Sequence, residues 1–342
     1  MPPFLSQPGW LGIRTQAAKG SYLAPGASTS SGEFIRFTSG GLAANRDLMI
    51  PDPEIGGNRD IPDAAMGPIS YGGDFNAYAR MEFLATLVQA ALGGTSVDTG
   101  AATSGFTHTI VPASGAIKYL SVEEVVGNTF DVFNYTDVKV NTLHLEAAAD
   151  GYLMVTFSLV GITQIAGATP TILANQTYDL SPLLLGTNIT VTYNAVNLPA
   201  KSFSLDINNN LETDDFRLGS LTLFDLSEKR REITMGATIR QADNTLWRQA
   251  TYGSSAATGP QGGASVKQQA IISITSYEDI PAANAGIKYA TTITIPKAAI
   301  KPFGMSPSGD DILQNDIEIQ ALRPSATDIM TVAIKNSRPT VR

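Results

Sequence analysis

Few residues in this sequence have side chains suited to chemistry, and none stands in the company that chemistry needs. There are two histidines and no cysteine. His108 sits in Phe106-Thr107-His108-Thr109, and His144 alternates along a strand-like run. Neither has a second histidine at metal-ligand spacing, and no H-E-x-x-H run occurs. Asp206-Ile207-Asn208-Asn209-Asn210 opens like a calcium loop. Its sixth position is Leu211, where the turn needs Gly, and its twelfth is Arg217, where Glu would complete the coordination. It reads instead as a strand ending in an Asn-rich turn. Glu123-Glu124 and Asp214-Asp215 are adjacent pairs, and neighbours in a strand point to opposite faces, so each pair reads as solvated surface. Nucleophile-elbow, P-loop and dinucleotide motifs are missing from the sequence. No catalytic residue, metal site or cofactor is therefore predicted.

Composition points elsewhere. The chain has 342 residues, of which 43% are hydrophobic and only 16% charged. The charged share is below the usual quarter, and Thr, Ser, Asn, Gln, Gly and Ala take its place. Interface centres are depleted of charge in the same way, so a surface covered by other subunits is expected. The net charge of −8 argues against a protein that grips nucleic acid, because phosphate affinity comes from Lys and Arg. Lys229-Arg230-Arg231 is the one basic run, too short for such a platform, and is expected to face Asp214 and Asp215 across a hairpin. The N-terminus lacks the basic start and apolar core of a signal peptide, and no window approaches 18 apolar residues, so a cytoplasmic product is expected.

The elements that position these residues alternate between extended runs and turns. Residues 1–32 are rich in Pro and Gly and read as an extended arm, with Phe4, Trp10 and Tyr22 as anchors on a neighbour. A strand follows from Phe34 to Phe37, then a long contact loop from Arg46 to Pro68 carrying apolar residues among charges. Asp74 is the expected N-cap of a helix whose apolar positions Tyr78, Met81, Leu84, Leu87, Val88 and Ala91 precede the stop at Gly93-Gly94. The period then changes to two. Leu143, Leu145 and Ala147 face Leu153, Val155, Phe157 and Leu159 across a turn at Asp150-Gly151.

Residues 166–198 read as a connector, and residues 199–342 repeat the plan of residues 33–165. Phe203, Leu205 and Ile207 open the second copy, and Asp243 caps a short helix from Asn244 to Tyr252. Ile317 and Ile319 close it in a hairpin with Met330, Val332 and Ile334. Phe34 with Phe203, Leu42 with Leu211 and Asp74 with Asp243 share one spacing. The expected fold is mainly β: sandwich or split-barrel modules, duplicated, each with a flanking α-helix.

In order and spacing these pieces resemble the major tail tube proteins of long, non-contractile-tailed bacteriophages. The resemblance rests on Phe34-Ile35-Arg36-Phe37, Gly72-Gly73-Asp74, the helix ending Ala90-Ala91-Leu92-Gly93-Gly94, Phe106-Thr107-His108-Thr109-Ile110, the Asp150-Gly151 hairpin and Phe203-Ser204-Leu205-Asp206-Ile207-Asn208-Asn209. It implies a structural virion protein whose rings stack into a hollow tube, through which double-stranded DNA passes without specific binding. A duplicated chain implies trimeric, pseudo-hexameric rings, with hexameric rings second. The implied partners are the protein itself, adjacent rings, and tail-tip and tail-terminator proteins.

The family's inter-ring loop maps to Arg46, Asp47, Met49, Ile50, Asp52, Glu54, Ile55, Arg59 and Ile61, with a second-copy counterpart at Asp214, Asp215, Arg217, Lys229, Arg230 and Arg231. Glu146, Asp206 and Glu318, on the polar faces of long strands, are the expected lumen residues. Two other readings compete. A receptor- or carbohydrate-binding β-sandwich would need clustered exposed aromatics, and a virion hydrolase would need a constellation that the sequence lacks.

Overall fold

A computed structural model describes residues 9–28, 31–55, 57, 60–61, 63–127, 131–167, 169–171, 175–241, 243–263, 265–281, 283–305 and 312–342. Phe4 and Arg59 lie outside the described residues. In the first half the strands are β1 (Trp10–Thr15), β2 (Glu33–Ile35), β3 (Ser39–Gly40), β4 (Ala43–Met49) and β5 (Ala65–Tyr78). Helix α1 (Met81–Leu92) follows, and then β6 (Ser96–Ala101), β7 (Gly105–Ile110), β8 (Leu120–Val126), β9 (Asp131–Ala148), β10 (Met154–Gly161) and β11 (Thr163–Ala166). The second half has β12 (Ile189–Tyr193), β13 (Val196–Asn197), β14 (Ala200–Asn208), β15 (Glu232–Arg240), α2 (Thr245–Tyr252), β16 (Gln268–Asp279), β17 (Lys288–Ile300), β18 (Gln314–Ala321) and β19 (Thr331–Asn336). The protein is mainly β, as expected.

The same pairing order occurs twice. In the first half β4 pairs with β5, β5 with β10 and β10 with β9. The N-terminal part of β9 then takes β8 and β11, and β8 takes β1, which pairs with β2. In the second half β14 pairs with β15, β15 with β18 and β18 with β17. β16 runs along β17 from Lys288 to Ala298 and β19 along its N-terminal part, and β16 takes β12, which pairs with β13. Each block has its helix directly after the second long strand. Among the described residues the hairpin β6–β7 has no counterpart in the second half; it docks on β19 and so packs the first block against the second.

A second ladder joins the blocks. The C-terminal part of β9 pairs with β14, from Thr142 opposite Asn208 to Ala148 opposite Ser202. The result is a continuous antiparallel array in the order β4–β5–β10–β9–β14–β15–β18–β17. Its inward positions alternate as the sequence predicts: Leu143, Leu145, Val155, Phe157, Leu205, Ile207, Ile233, Met235, Ile317 and Ile319 are all buried. Full burial of one such side chain contributes about 1.5–3 kcal/mol, so a shift of register by one residue would forfeit the core.

Several expectations need correction. Asp74 does not cap α1; it lies in β5 opposite Ser158, and Tyr78 ends that strand. The helix starts at Met81, where the Asp179 carboxylate accepts from the Glu82 and Phe83 N–H groups at 2.9 and 3.0 Å, and Ser181 Oγ accepts from Met81 N–H. Its stop is as expected: Gly93 adopts φ 73° and donates to Gln89 O. Asp74 and Asp243 therefore stand in different settings, the first within a strand and the second just before α2.

The closing hairpin is also different. β18 and β19 do not form a ladder with each other; both lie along β17, at its two ends. Within the described part of the arm, β1 is inserted between β2 and β8 of its own chain.

Phe157 is fully buried and stacks on Phe75, with centroids 5.5 Å apart. Replacing it by Ala is expected to lower stability by about 3–5 kcal/mol. Thr156→Ala, its neighbour on the polar face, should cost far less. Urea unfolding of both variants checks the contrast, and equal losses would contradict the assigned faces.

Candidate assembly surfaces

Three surfaces carry the residues singled out in the sequence. The first is the polar face of the array. Successive registers place Glu146 opposite Ser204, Ser204 opposite Gly236 and Gly236 opposite Glu318, so these residues form one row across four strands. Asp206 lies in the next row, opposite His144 and Thr234. Glu146, Asp206 and Glu318 therefore share one face, away from the core, and the same alternation adds Asp74, Glu232 and Asp316. Thr, Ser and Asn fill most of the remaining positions. A depression of about 660 Å³ on this face is lined by Tyr78, Glu146, Ser204, Gly236 and Asp316. The acids are partly compensated: Lys301 pairs with Glu318, and His144 Nδ1 lies 2.6 Å from Asp206 Oδ1.

The His144–Asp206 contact crosses the junction between the blocks. Hydrogen bonding to Asp206 raises the His144 pKa above its ordinary 6.5, against a smaller opposing effect of burial. A raised folded-state pKa means that the stabilisation is fully present below about 6.5 and is lost as pH rises through the higher folded value.

The second surface is the hairpin β4–β5 and its connecting segment. The sequence reads 46–68 as a loop; its two ends, 46–49 and 65–68, are strand, with Arg46 opposite Ile69 and Met49 opposite Ala65, and the described residues between them carry no strand. Strand character at 46–49 was hidden because every residue of β4 is exposed, so no apolar alternation marks the strand. Arg46 Nε donates to Gly67 O at 2.8 Å. Asp47, Met49, Ile50, Asp52, Glu54, Ile55 and Ile61 are all exposed, Ile55 in full. Leu48 and Met66 add to this exposed apolar surface.

The third surface is the excursion between β14 and β15, residues 209–231. It forms no continuous ladder; its limbs are held by isolated bridges, Leu211 with Glu228 and Phe216 with Leu223, and by backbone hydrogen bonds such as Glu212 N–H to Ser227 O and Phe224 N–H to Asp215 O. Nor does the basic run face Asp214 and Asp215. Asp215 pairs with Arg217, and Lys229 lies 3.7 Å from Glu212. Arg231 turns inward, donating to Leu92 O and Asn209 Oδ1, each at 3.0 Å, so that it caps the C-terminus of α1. Arg230 and Asp214 remain exposed.

A buried lysine anchors this excursion. Lys139 Nζ contacts Glu228 Oε1 and Leu226 O, both at 2.7 Å. Ile69 N–H donates to Leu221 O, and Ile69 bridges Thr222, so the excursion lies against the base of the β4–β5 hairpin. The two segments expected to make contacts separately are thus physically joined.

Trp10, Tyr22 and the Glu123–Glu124 pair make contacts within the chain. Trp10 is buried with Phe34, Val125 and Val132, and its Nε1 donates to Glu123 at 2.9 Å. Glu124 accepts from Leu42 N–H on the other side. Glu123 and Glu124 are therefore buried acceptors, not the solvated pair expected; donors distant in sequence offset their desolvation. Tyr22 is partly buried, and burial, followed by the charge of Glu123, raises its pKa. His108 is buried between Asp98 and Asn336, at 2.8 and 2.9 Å, and reads as a structural bridge. Among the described residues no cluster of three His, Asp or Glu side chains could hold a metal ion.

Comparison with known families agrees with this picture. Residues 11–321 match the family model described as phage tail tube protein. This chain belongs to the phage tail tube protein family. Among curated proteins none matches it. Membership makes the chain a structural component of the virion tail, one that self-assembles into a tube with other tail proteins. Among the described residues no helix is long and apolar enough to cross a membrane.

The His144 assignment yields a direct test. Side-chain NMR titration should show one of the two histidines with a pKa above 6.5, and Asp206→Asn should move it back towards that value. A titration unchanged by Asp206→Asn would contradict the junction contact.

Proposed function

We propose that this tail tube protein forms stacked trimeric rings in a long, non-contractile tail, and that each chain contributes two equivalent blocks to the wall. The repeated pairing order supports the reading, since each block brings the same four-strand run β4–β5–β10–β9 or β14–β15–β18–β17. The blocks are proposed as copies of one ancestral module, with β1 and β12 as equivalent first strands. Hexameric rings are the second arrangement.

The observation that carries the lumen assignment is the acidic, polar face shared by Glu146, Asp206 and Glu318 across both blocks. Fixed negative charge facing duplex DNA repels phosphate, so the genome slides without being held. The opposite choice, a basic lining, would bind DNA in a salt-dependent manner. The exposed apolar residues at Leu48 to Met66, together with Leu218 and Leu221, are the proposed contact with the adjacent ring. The tail-tip complex and the tail terminator are the proposed partners at the two ends, and assembly is placed in the host cytoplasm. No step of this role requires catalysis.

Electron microscopy of the purified chain, alone and seeded with tail-tip complexes, should reveal stacked rings with an open channel. Persistently monomeric material under both conditions would contradict the reading. In assembled tubes, the triple variant Glu146→Lys, Asp206→Lys, Glu318→Lys should retain duplex DNA at low salt, whereas the parent tube should not. Equal retention by both tubes would place these residues outside the channel.

A further inference from the structure

The internal junction specifies how one copy meets the next. Within the chain, the outer edge of β14 is covered by the C-terminal part of β9. At the ends of the array the corresponding positions are the outer edge of β4 and the C-terminal end of β17. Among the described residues β4 forms a ladder only with β5, and all its residues are exposed. The two long strands differ in one respect. β9 runs on to Ala148, where β14 supports it, whereas β17 stops at Ile300. The next residues, Lys301 to Met305, hold to the array through Lys301 N–H donating to Glu318 O at 2.8 Å.

Their side chains repeat the three-residue step between core positions seen in β9, where Val140 is followed by Leu143; here Ile300 is followed by Phe303. Phe303 packs against the core, as Leu143 does in β9, while Pro302 and Gly304 are exposed. On the other edge, Leu42 is buried and Ala43 and Asn45 are exposed. We propose that β4 of one copy pairs antiparallel with Lys301–Met305 of the next copy, which extends β17 and repeats the β9–β14 junction between chains. The proposal rests on the tail tube reading and names the edges that close the ring.

Matching of faces limits the register to steps of two. Ala44 meets Phe303 on the core side, and Ala43 and Asn45 lie on the face of Pro302 and Gly304. The free edge begins at Ala44, because Leu42 N–H is taken by Glu124 and Leu42 O by the Tyr135 hydroxyl. Pro302 donates no hydrogen bond, so its neighbours carry the ladder. Arg46 and Lys301, which approach one another in this arrangement, are already engaged, with Gly67 O and Glu318 respectively. An unpaired edge of this kind is satisfied when a ring closes, and a head-to-tail contact repeated by rotation closes without leaving free ends.

The absence of native cysteine makes the test clean. Antiparallel partners have Cα atoms about 4.5–5.5 Å apart, within reach of a disulfide. The double variants Ala43→Cys with Gly304→Cys, and Ala43→Cys with Pro302→Cys, are assembled and oxidised. A Cβ at Gly304 meets no atom within 4 Å, so that substitution fits. At least one pair should yield disulfide-linked multimers that stop at the number of chains in a ring. Ala44→Cys with Gly304→Cys, which points to opposite faces, should yield none. If a double variant fails to assemble, equal mixtures of the two single variants should give linked dimers only.

Intact rings without cross-links in either face-matched pair would overturn the edge assignment while leaving the tube intact. Cross-linking by Ala43→Cys alone would also overturn it, since β4 would then pair with β4. A parent chain that forms no rings would instead remove the tail tube reading, and this proposal with it.

Discussion

One strand is too long for the block that contains it, and the rest of the architecture depends on that excess. β9 spends its N-terminal part on β8 and β11 and its C-terminal part on β10 and, at the outer edge, β14. Without the last ladder the two blocks would share the β6–β7 hairpin on β19, isolated backbone contacts such as Ile69 with Leu221 and Thr222, and side-chain contacts. With it, a single array of eight strands spans both blocks. The apolar alternation on one side and the acidic, polar alternation on the other are then in phase across both blocks. That phase is what allows Glu146 and Glu318, which come from different blocks, to lie in one row.

Buried charge stabilises the arrangement at places where elements distant in sequence meet. Arg338 bridges Glu33 and Glu82, joining the C-terminal segment to β2 and to the first turn of α1. Lys139 holds the 209–231 excursion, and Asp179 caps the helix from the segment between the blocks. Breaking one partner of such a pair typically costs about 3–5 kcal/mol, because the other charge is left buried. These contacts tie the excursion and the termini to the array without using the polar face. They leave the exposed residues of β4–β5 and of the excursion free to meet other subunits.

Much of the fold was legible from period and punctuation. The alternation at Leu143–Ala147 and Leu153–Leu159, the stop at Gly93 and the short helix after Asp243 are local signals, and the structure has each of them. What was illegible depends on distant partners. Asp74 resembles a cap, but the cap comes from Asp179, roughly a hundred residues away. Trp10–Thr15 sits in a Pro- and Gly-rich stretch and is a strand only because β2 and β8 flank it. Ile317 and Ile334 alternate in the manner of a hairpin, yet β17 separates their roles. The similar pairing order of the two halves was not legible locally, and Asp74 and Asp243 occupy different settings, one inside β5 and the other just before α2. Of the site residues, the shared face of Glu146, Asp206 and Glu318 followed from alternation, whereas the inward turn of Arg231 had no local signal.

The central claim is that one chain carries two equivalent blocks of a closed wall. Its most direct test is a cryo-electron microscopy reconstruction of the assembled tube, with the rotational symmetry determined from the images. The account predicts threefold rings that look sixfold at low resolution, with β9–β14 and the contact between chains superimposing as the same kind of ladder. A ring of six chains, or a wall in which the contact between chains bears no likeness to β9–β14, would contradict it.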